Sequence, residues 1–269
     1  MKMLNIKAGF CPAVVMAIVM ACPAWVIAGP QEPAETVAII GTGYMGGALG
    51  PRFAELGYRV IYGVREPGRA SVTELVARTG HGATAATQQA AAAPADVVVL
   101  AVGWPAMIEV AQNLGNLDGK LIIDVSDPMV QGDDGYAERT VETSSAELIQ
   151  GWNPGATVVK AFNTLGYFVI ADPSSVDGPV TVPLAADDPR AKERVAHMVA
   201  AMGLVPVDAG PLRFAHELEG MALIYMVPLD QRREQEWEFY FRPSTHWRAI
   251  WEDDWSVPVK DAGHLAEIP

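Results

Sequence analysis

The chain has 269 residues, half of them apolar, and a formal charge of -13. That length holds one large domain or two small ones around a sizeable core. The acidity excludes nucleic acid and anionic lipid surfaces as partners, while phosphates held by local groups remain open.

The first 28 residues carry Lys2 and Lys7 and no acid, so the remainder sets 17 bases against 32 acids. An apolar run from Ala8 to Ala28 follows, and Val26, Ile27 and Ala28 before Gly29 suit a cleavage site. Residues 1–28 therefore read as a secretory signal peptide. Two other readings share the segment. One is a lipoprotein signal ending at Cys22, weakened by Met20 and Pro23. The other is an uncleaved membrane anchor interrupted by Pro12 and Pro23. The two lysines favour a cytoplasmic N-terminus, so each reading places the main domain outside the cytoplasm: periplasmic, or held at the membrane by this segment. Both cysteines, Cys11 and Cys22, fall inside it. Disulfides, thiol catalysis and cysteine metal sites are thereby excluded from the rest of the chain.

Residues 29–35 are a Pro-containing linker, and residues 36–228 form the predicted domain. A β-branched run from Thr36 to Ile40 enters Gly41-Thr42-Gly43-Tyr44-Met45-Gly46, and a helix is predicted from Ala48 to Leu56. Strand, G-x-G-x-x-G and helix in that order are a dinucleotide-binding fingerprint. Gly41 permits the tight turn, Gly43 lets backbone approach a pyrophosphate, and Gly46 lets the helix pack on the strand. The helix N-terminus then offers free N–H groups to phosphate. Strands are predicted over 58–62, 96–102, 120–125, 156–160, 180–185 and 204–207. Helices are predicted over 70–78, 88–93, 105–114, 145–150, 189–202 and 212–227. The run Asp96 to Val102 does not alternate, as suits a strand buried on both faces of a parallel sheet. Alternating strands and helices imply right-handed βαβ units. The fold class is α/β: a Rossmann-type, doubly wound, mainly parallel sheet with a small C-terminal helical and aromatic extension. Residues 229–269 form that extension, rich in Trp, Phe and Tyr. It reads as an arm packing back on the domain or a partner subunit, with a dedicated partner or membrane-interface contact as the sharper reading.

Cofactor choice sits at the end of the second strand, where an NAD site usually places an acid. Here Val64 and Arg65 take that place, with Arg69 nearby. A guanidinium forks onto a 2′-phosphate and stacks on adenine, which favours NADP over NAD, with Glu66 as a partial counter-charge. No Ser-His-Asp arrangement stands out. His81, His197, His216 and His246 are scattered. His216 and Glu217 could reach a second substrate. Lys160 falls at a strand end, where α/β ligand sites lie, or is a plain strand-end lysine.

Seven segments occur in one order: Gly41 to Gly46, Gly63 to Arg65, Val99 to Trp104, Ile123 to Pro128, Ser144 to Leu148, Val158 to Thr164 and Asp208 to Leu212. On these the chain resembles the NADP oxidoreductases that depend on the deazaflavin coenzyme F420. It is also similar to the cytosolic reductase domain of the STEAP metalloreductases. The resemblance spans about Thr36 to Pro228, and its Val-Val-Lys-Ala-Phe-Asn-Thr and Asp-Ala-Gly-Pro-Leu segments are its most specific parts. It implies that Thr42, Gly43, Tyr44 and Met45 line the pyrophosphate and that Arg65 and Arg69 meet the 2′-phosphate. Val102, Gly103 and Trp104 would flank the ribose. Ala161, Asn163 and Thr164 would lie by the nicotinamide and the second redox partner. It further implies NADP(H) as cofactor, coenzyme F420 or a flavin as second substrate, and a homodimer. The chain departs at Val64, which removes a phosphate hydrogen bond, and at Ser126-Asp127-Pro128, where Thr-Asn-Pro is common and Asp127 adds a negative charge. Hydride transfer between stacked rings depends on positioning, so no protein acid or base is required. The competing reading is an exported, non-catalytic dinucleotide-binding module or redox sensor, since an exported chain meets little reduced nicotinamide.

Overall fold

The computed structural model describes residues 35–230 and 238–242. Residues 1–28, read above as a signal peptide, the linker as far as residue 34, His246 and most of the aromatic extension lie outside the described residues.

β1 (Thr36–Ile40) leads through the glycine turn into α1 (Tyr44–Glu55). β2 (Arg59–Val64), α2 (Ala70–Thr79), β3 (Thr84–Thr87), α3 (Gln88–Ala92), β4 (Val97–Leu100), α4 (Trp104–Asn113) and β5 (Leu121–Asp124) complete the first half. A short antiparallel hairpin, β6 (Met129–Gln131) and β7 (Ala137–Arg139), precedes α5 (Ser145–Trp152) and β8 (Thr157–Lys160). α6 (Tyr167–Ala171), β9 (Thr181–Ala185), α7 (Pro189–Ala201), β10 (Val205–Gly210) and α8 (Ala215–Asp230) follow.

The eight-stranded sheet runs β3-β2-β1-β4-β5-β8-β9-β10. Its first six strands are parallel; β9 pairs antiparallel with β8, and β10 runs parallel to β9. The chain order reverses between β1 and β4, which makes the C-terminal ends of those strands the crevice where such sheets bind ligands. The core explains the non-alternating strands. Val37, Ile39, Val97, Val99 and Ile123 enter one apolar cluster, while Ala38, Ile40, Val98, Leu100 and Ile122 enter another. Odd and even residues point to opposite faces, and helices cover both faces. Burying each Val, Ile or Leu this completely contributes about 1.5–3 kcal/mol.

The structure differs from the sequence expectations in a few places. α1 begins at Tyr44 rather than Ala48, because close packing on the β1 turn outweighs the poor helix propensity of Gly46 and Gly47. β3 reads Thr-Ala-Ala-Thr, an edge strand with no apolar run to mark it. β6, β7 and α6 are three to five residues long, below the span over which periodicity registers. The last predicted helix opens with a 3-10 turn at Leu212–Phe214 before α8. Of the aromatic extension, Glu238 to Arg242 packs back on the domain. The Phe241 backbone N–H donates to Thr181 Oγ1 at 2.8 Å, Tyr240 lies against the core, and Phe239 meets Tyr225 edge-on.

Candidate functional site

Two different kinds of structure meet at the crevice. On the β1–β2 side it is built from backbone. Gly41 has φ +104°, and a Cβ there would stand 2.4 Å from the Ala101 carbonyl oxygen. A Cβ on Gly46 would stand 2.1 Å from the Gly41 carbonyl oxygen. Both positions are closed to any larger residue. Gly43 is the opposite case: a Cβ there meets nothing within 4 Å, so its backbone borders open space at the N-terminus of α1. α1 carries no side-chain cap and no acid in its first turn. α4, which follows the neighbouring strand, likewise starts from Gly103 with no side-chain cap. Unspent N–H groups and two positive dipole ends beside a Gly-bordered opening fit a pyrophosphate.

Arg65 follows β2, and Arg69 is the N-cap residue of α2; both are exposed. Among the described residues neither guanidinium has an ion-pair partner, and Glu66 neutralises neither. Two cations therefore stand beyond the C-terminal end of β2. Val102 packs over the turn, its Cγ1 2.9 Å from where a Gly41 Cβ would be. Trp104 differs from expectation. It is 7 % exposed, and its indole stacks on Trp152 at 6.4 Å between centroids, inside the core under α4. Its side chain is therefore packing, and a ribose could meet only its backbone. Ala161 and Thr164 are also buried core residues.

On the β5–β8 side the crevice is built from buried charge. The register sets Asp124 directly beside Lys160, at the C-terminal ends of two neighbouring strands. Both are fully buried. Lys160 Nζ donates to Asp124 Oδ2 at 3.1 Å, to Glu219 Oε1 at 2.8 Å, to Ser145 Oγ at 2.9 Å and to the Ser126 carbonyl. Ser145 follows the N-cap of α5, where Ser144 Oγ accepts from the Glu147 backbone N–H at 3.1 Å and donates to Glu147 Oε2 at 2.8 Å. Ser145 Oγ then reaches Asp124 Oδ2 at 2.5 Å and Glu219 Oε1 at 2.7 Å. Burial alone would pull the Lys160 ammonium down, but Asp124 and Glu219 hold it well above its ordinary value.

The chain leaves β8 through Phe162, a fully buried residue at φ +63°. That strained turn presents Asn163, whose Nδ2 donates to Asp127 Oδ1 at 2.9 Å and to the Leu218 carbonyl at 3.1 Å. Its Oδ1 is buried without a partner among the described residues. Burial pushes the Asp127 carboxyl up to about 7, against the pull of Lys160 and Asn163, with Glu219 and Asp124 pushing the same way as burial.

A cavity of about 840 Å³ opens at this point, lined by the polar Asp127, Asn163 and Glu238 and by Tyr44, Met45, Tyr167 and Phe168, among others. Tyr44 and Tyr167 stack at its mouth, 4.6 Å apart and 23° from parallel. Tyr44 and Met45 thus belong to both the glycine turn and this cavity. His216 does not line it: its ring contacts Arg139, and its Nδ1 lies 2.8 Å from the Thr143 carbonyl. Glu217 is exposed and His81 and His197 lie on the surface. The sequence reading missed Asp124, Ser145 and Glu219 as a unit. The signal was there: Glu219 interrupts an apolar helix, and Asp124 and Lys160 end two otherwise apolar strands.

Residues 36–128 match the family described as NADP oxidoreductase coenzyme F420-dependent. The F420-dependent NADP reductase of Methanothermobacter thermautotrophicus is 33 % identical over 198 residues, 68 % of this chain and 84 % of that protein. Metalloreductase STEAP3 of Rattus norvegicus is 32 % identical over 197 residues, 72 % of this chain and 37 % of that protein. The chain thus spans just over a third of the STEAP metalloreductases it matches. Among solved structures, a protein from Arthrobacter sp. FB24 assigned to the F420-dependent NADP-reductases aligns with TM-score 0.71 and 26 % identity, covering 78 % of this chain and all of that one. A reductive aminase from Aspergillus terreus shares the fold at TM-score 0.52 and 17 % identity, over 73 % of this chain and 61 % of that one.

Proposed function

The chain belongs to the family of coenzyme F420-dependent NADP oxidoreductases, and from that premise we propose that it transfers a hydride between NADP(H) and a flat, flavin-like ring, coenzyme F420 or a flavin. The observation that carries this reading is the shared wall: Tyr44 and Met45 belong to the glycine turn and also line an aromatic cavity of about 840 Å³. A dinucleotide laid along the turn would bring its reactive end to a space sized for a second ring.

The chain's own residues have separate tasks in this reading. The turn at Gly41, Gly43 and Gly46 and the N-terminus of α1 hold the pyrophosphate. Arg65 and Arg69 take the 2′-phosphate, where a guanidinium forks onto two oxygens. Gly103 borders the ribose. Asn163, fixed by its two donated bonds, orients the nicotinamide end. Tyr44, Tyr167 and Phe168 hold the partner ring flat and keep water away. The cofactor supplies the hydride chemistry; the protein supplies distance and orientation.

Fluorescence titration with NADPH and NADH tests the first half. NADPH is expected to bind at least tenfold more tightly; equal affinities overturn the role of Arg65, and no binding overturns the cofactor. NADPH oxidation with F420 and with FMN tests the second half, and no turnover with either ring overturns the flavin-like partner.

A further inference from the structure

The apolar cavity ends on Asp127, a carboxylate where the family resemblance leads one to expect an asparagine. We propose that Asp127 is the counter-ion of the oxidised nicotinamide ring, protonated against the neutral ring of NADPH and ionised against the cationic ring of NADP⁺. The inference rests on the NADP(H) reading above.

Placement comes first. With the exposed arginines beyond β2 and the open glycine beyond β1, the other half of a dinucleotide falls on the β4–β5–β8 side. The loops after β5 and β8 carry Asp127 and Asn163 there, in one cavity with Tyr44 and Met45. Asp127 spends Oδ1 on Asn163, and its Oδ2 has no hydrogen-bond partner among the described residues. Asn163 Oδ1, buried and unpartnered among those residues, adds a second unused acceptor at the same end. Two idle acceptors suit a cation or a donor, and they disfavour an anion.

Charge balance comes second. Lys160 and Asp124 stand behind Asp127 on the strands, Glu219 faces it from α8, and Arg139 from β7 lines the same small recess. Arg139 is engaged with His216, and Lys160 with Asp124 and Glu219. Tyr225 and Glu238 lie on other walls of the cavity. The third carboxylate thus shares Lys160 with two others, and burial, helped by Glu219 and Asp124, outweighs the pull of that ammonium and raises its carboxyl to about 7 from the ordinary 3.8. A cationic ring beside it would supply the missing charge.

The chemistry balances without another reagent. A hydride carries a proton and two electrons from the reduced ring to an acceptor. The nicotinamide is oxidised and gains a positive charge; the acceptor is reduced and gains a negative one. The Asp127 carboxyl proton passes to the acceptor, leaving a carboxylate that faces the cationic ring. The site's net charge is unchanged, and solvent returns the proton once NADP⁺ has left.

The test is direct binding of NADP⁺ and of NADPH from pH 6 to 8. The 2′-phosphate titrates alike in both nucleotides and cancels in the ratio of their affinities. That ratio is expected to shift toward NADP⁺ by up to about tenfold per pH unit, about 100-fold over the range, because the two complexes differ by one bound proton. Calorimetry at pH 7 in buffers of different ionisation enthalpy should count more protons released with NADP⁺ than with NADPH. Asp127→Asn should flatten the ratio and Asp127→Glu should keep its slope, with Asp127→Ser standing in if the Asn variant fails to fold. Parallel pH courses for the two wild-type affinities, or an undiminished slope without the carboxylate, overturn the inference and leave the NADP(H) reading intact. Failure of both nucleotides to bind overturns both.

Discussion

The two halves of the crevice solve opposite problems. The β1–β2 half is open and made of backbone and long side chains: unspent N–H groups, a glycine bordering empty space, two exposed arginines without ion-pair partners among the described residues. The β5–β8 half is closed and made of charge: two carboxylates bridged by an ammonium and a serine, shut away from water. The first half waits for a ligand to complete it. The second is bonded mostly within itself and holds the loops that carry Asp127 and Asn163. Affinity is therefore expected to follow the first half, and stability the second.

Lys160→Met breaks that division most severely. It leaves Asp124 and Glu219 buried without their cation, a loss of about 3–5 kcal/mol for a broken buried pair. Urea denaturation should show the midpoint falling accordingly. A triple change, Lys160→Met with Asp124→Asn and Glu219→Gln, should recover part of it, because the uncompensated charges go too. Gly43→Val makes the converse test. Its Cβ meets nothing within 4 Å, so the urea midpoint should hold. The branched side chain fills the space a pyrophosphate needs, so NADPH affinity should fall about 100-fold, roughly 2.7 kcal/mol. A stable variant with unchanged affinity would show that the glycine turn is not the site.

The same division governs what could be read from sequence. The open half was legible because its chemistry is local: six consecutive positions set the turn, and Arg65 lies one residue beyond a recognisable strand. Parallel strands were legible from apolar runs. The closed half joins positions 124, 145, 160 and 219, which no spacing rule connects. Only the strand order β4-β5-β8, with α8 laid over it, brings them within hydrogen-bond distance. Lys160 could be placed at a strand end but not given partners, and Asp127 could be marked as an added charge but not given an environment. Trp104 misled in the other direction. The family resemblance put Trp104 beside the ribose, yet the first turn of α4 faces its indole into the core.

Arg65→Ala sharpens the comparison within the open half. Removing the guanidinium takes a charge-assisted hydrogen bond from the 2′-phosphate, which should weaken NADPH binding by about 1–3 kcal/mol and leave NADH nearly unchanged. Paired titrations check it, and equal losses for both nucleotides would remove the 2′-phosphate role. Arg69→Ala should act in the same direction and more weakly, since Arg69 lies four residues further from the end of β2.

The effect that depends on pH lies where the halves meet. The Asp127 carboxyl is raised from 3.8 to about 7 in the folded protein. Between those values the folded state binds a proton that the unfolded chain has released, so the native state loses stability as the pH climbs from about 4 to about 7. Above 7 that loss is complete, and Asp127 stands as an ionised group the fold tolerates rather than favours. Asp127→Asn keeps an acceptor for Asn163 Nδ2 and has no proton to lose. The variant should therefore melt above wild type at pH 8, by up to about 4 kcal/mol for a rise of that size, and the gap should close toward pH 4. A gap that is constant with pH would place the Asp127 titration outside this range. A destabilised variant at pH 8 would mean that the carboxylate is an asset to the fold even without a ligand. Either result would move Asp127 from the reacting half of the crevice into the buried network behind it.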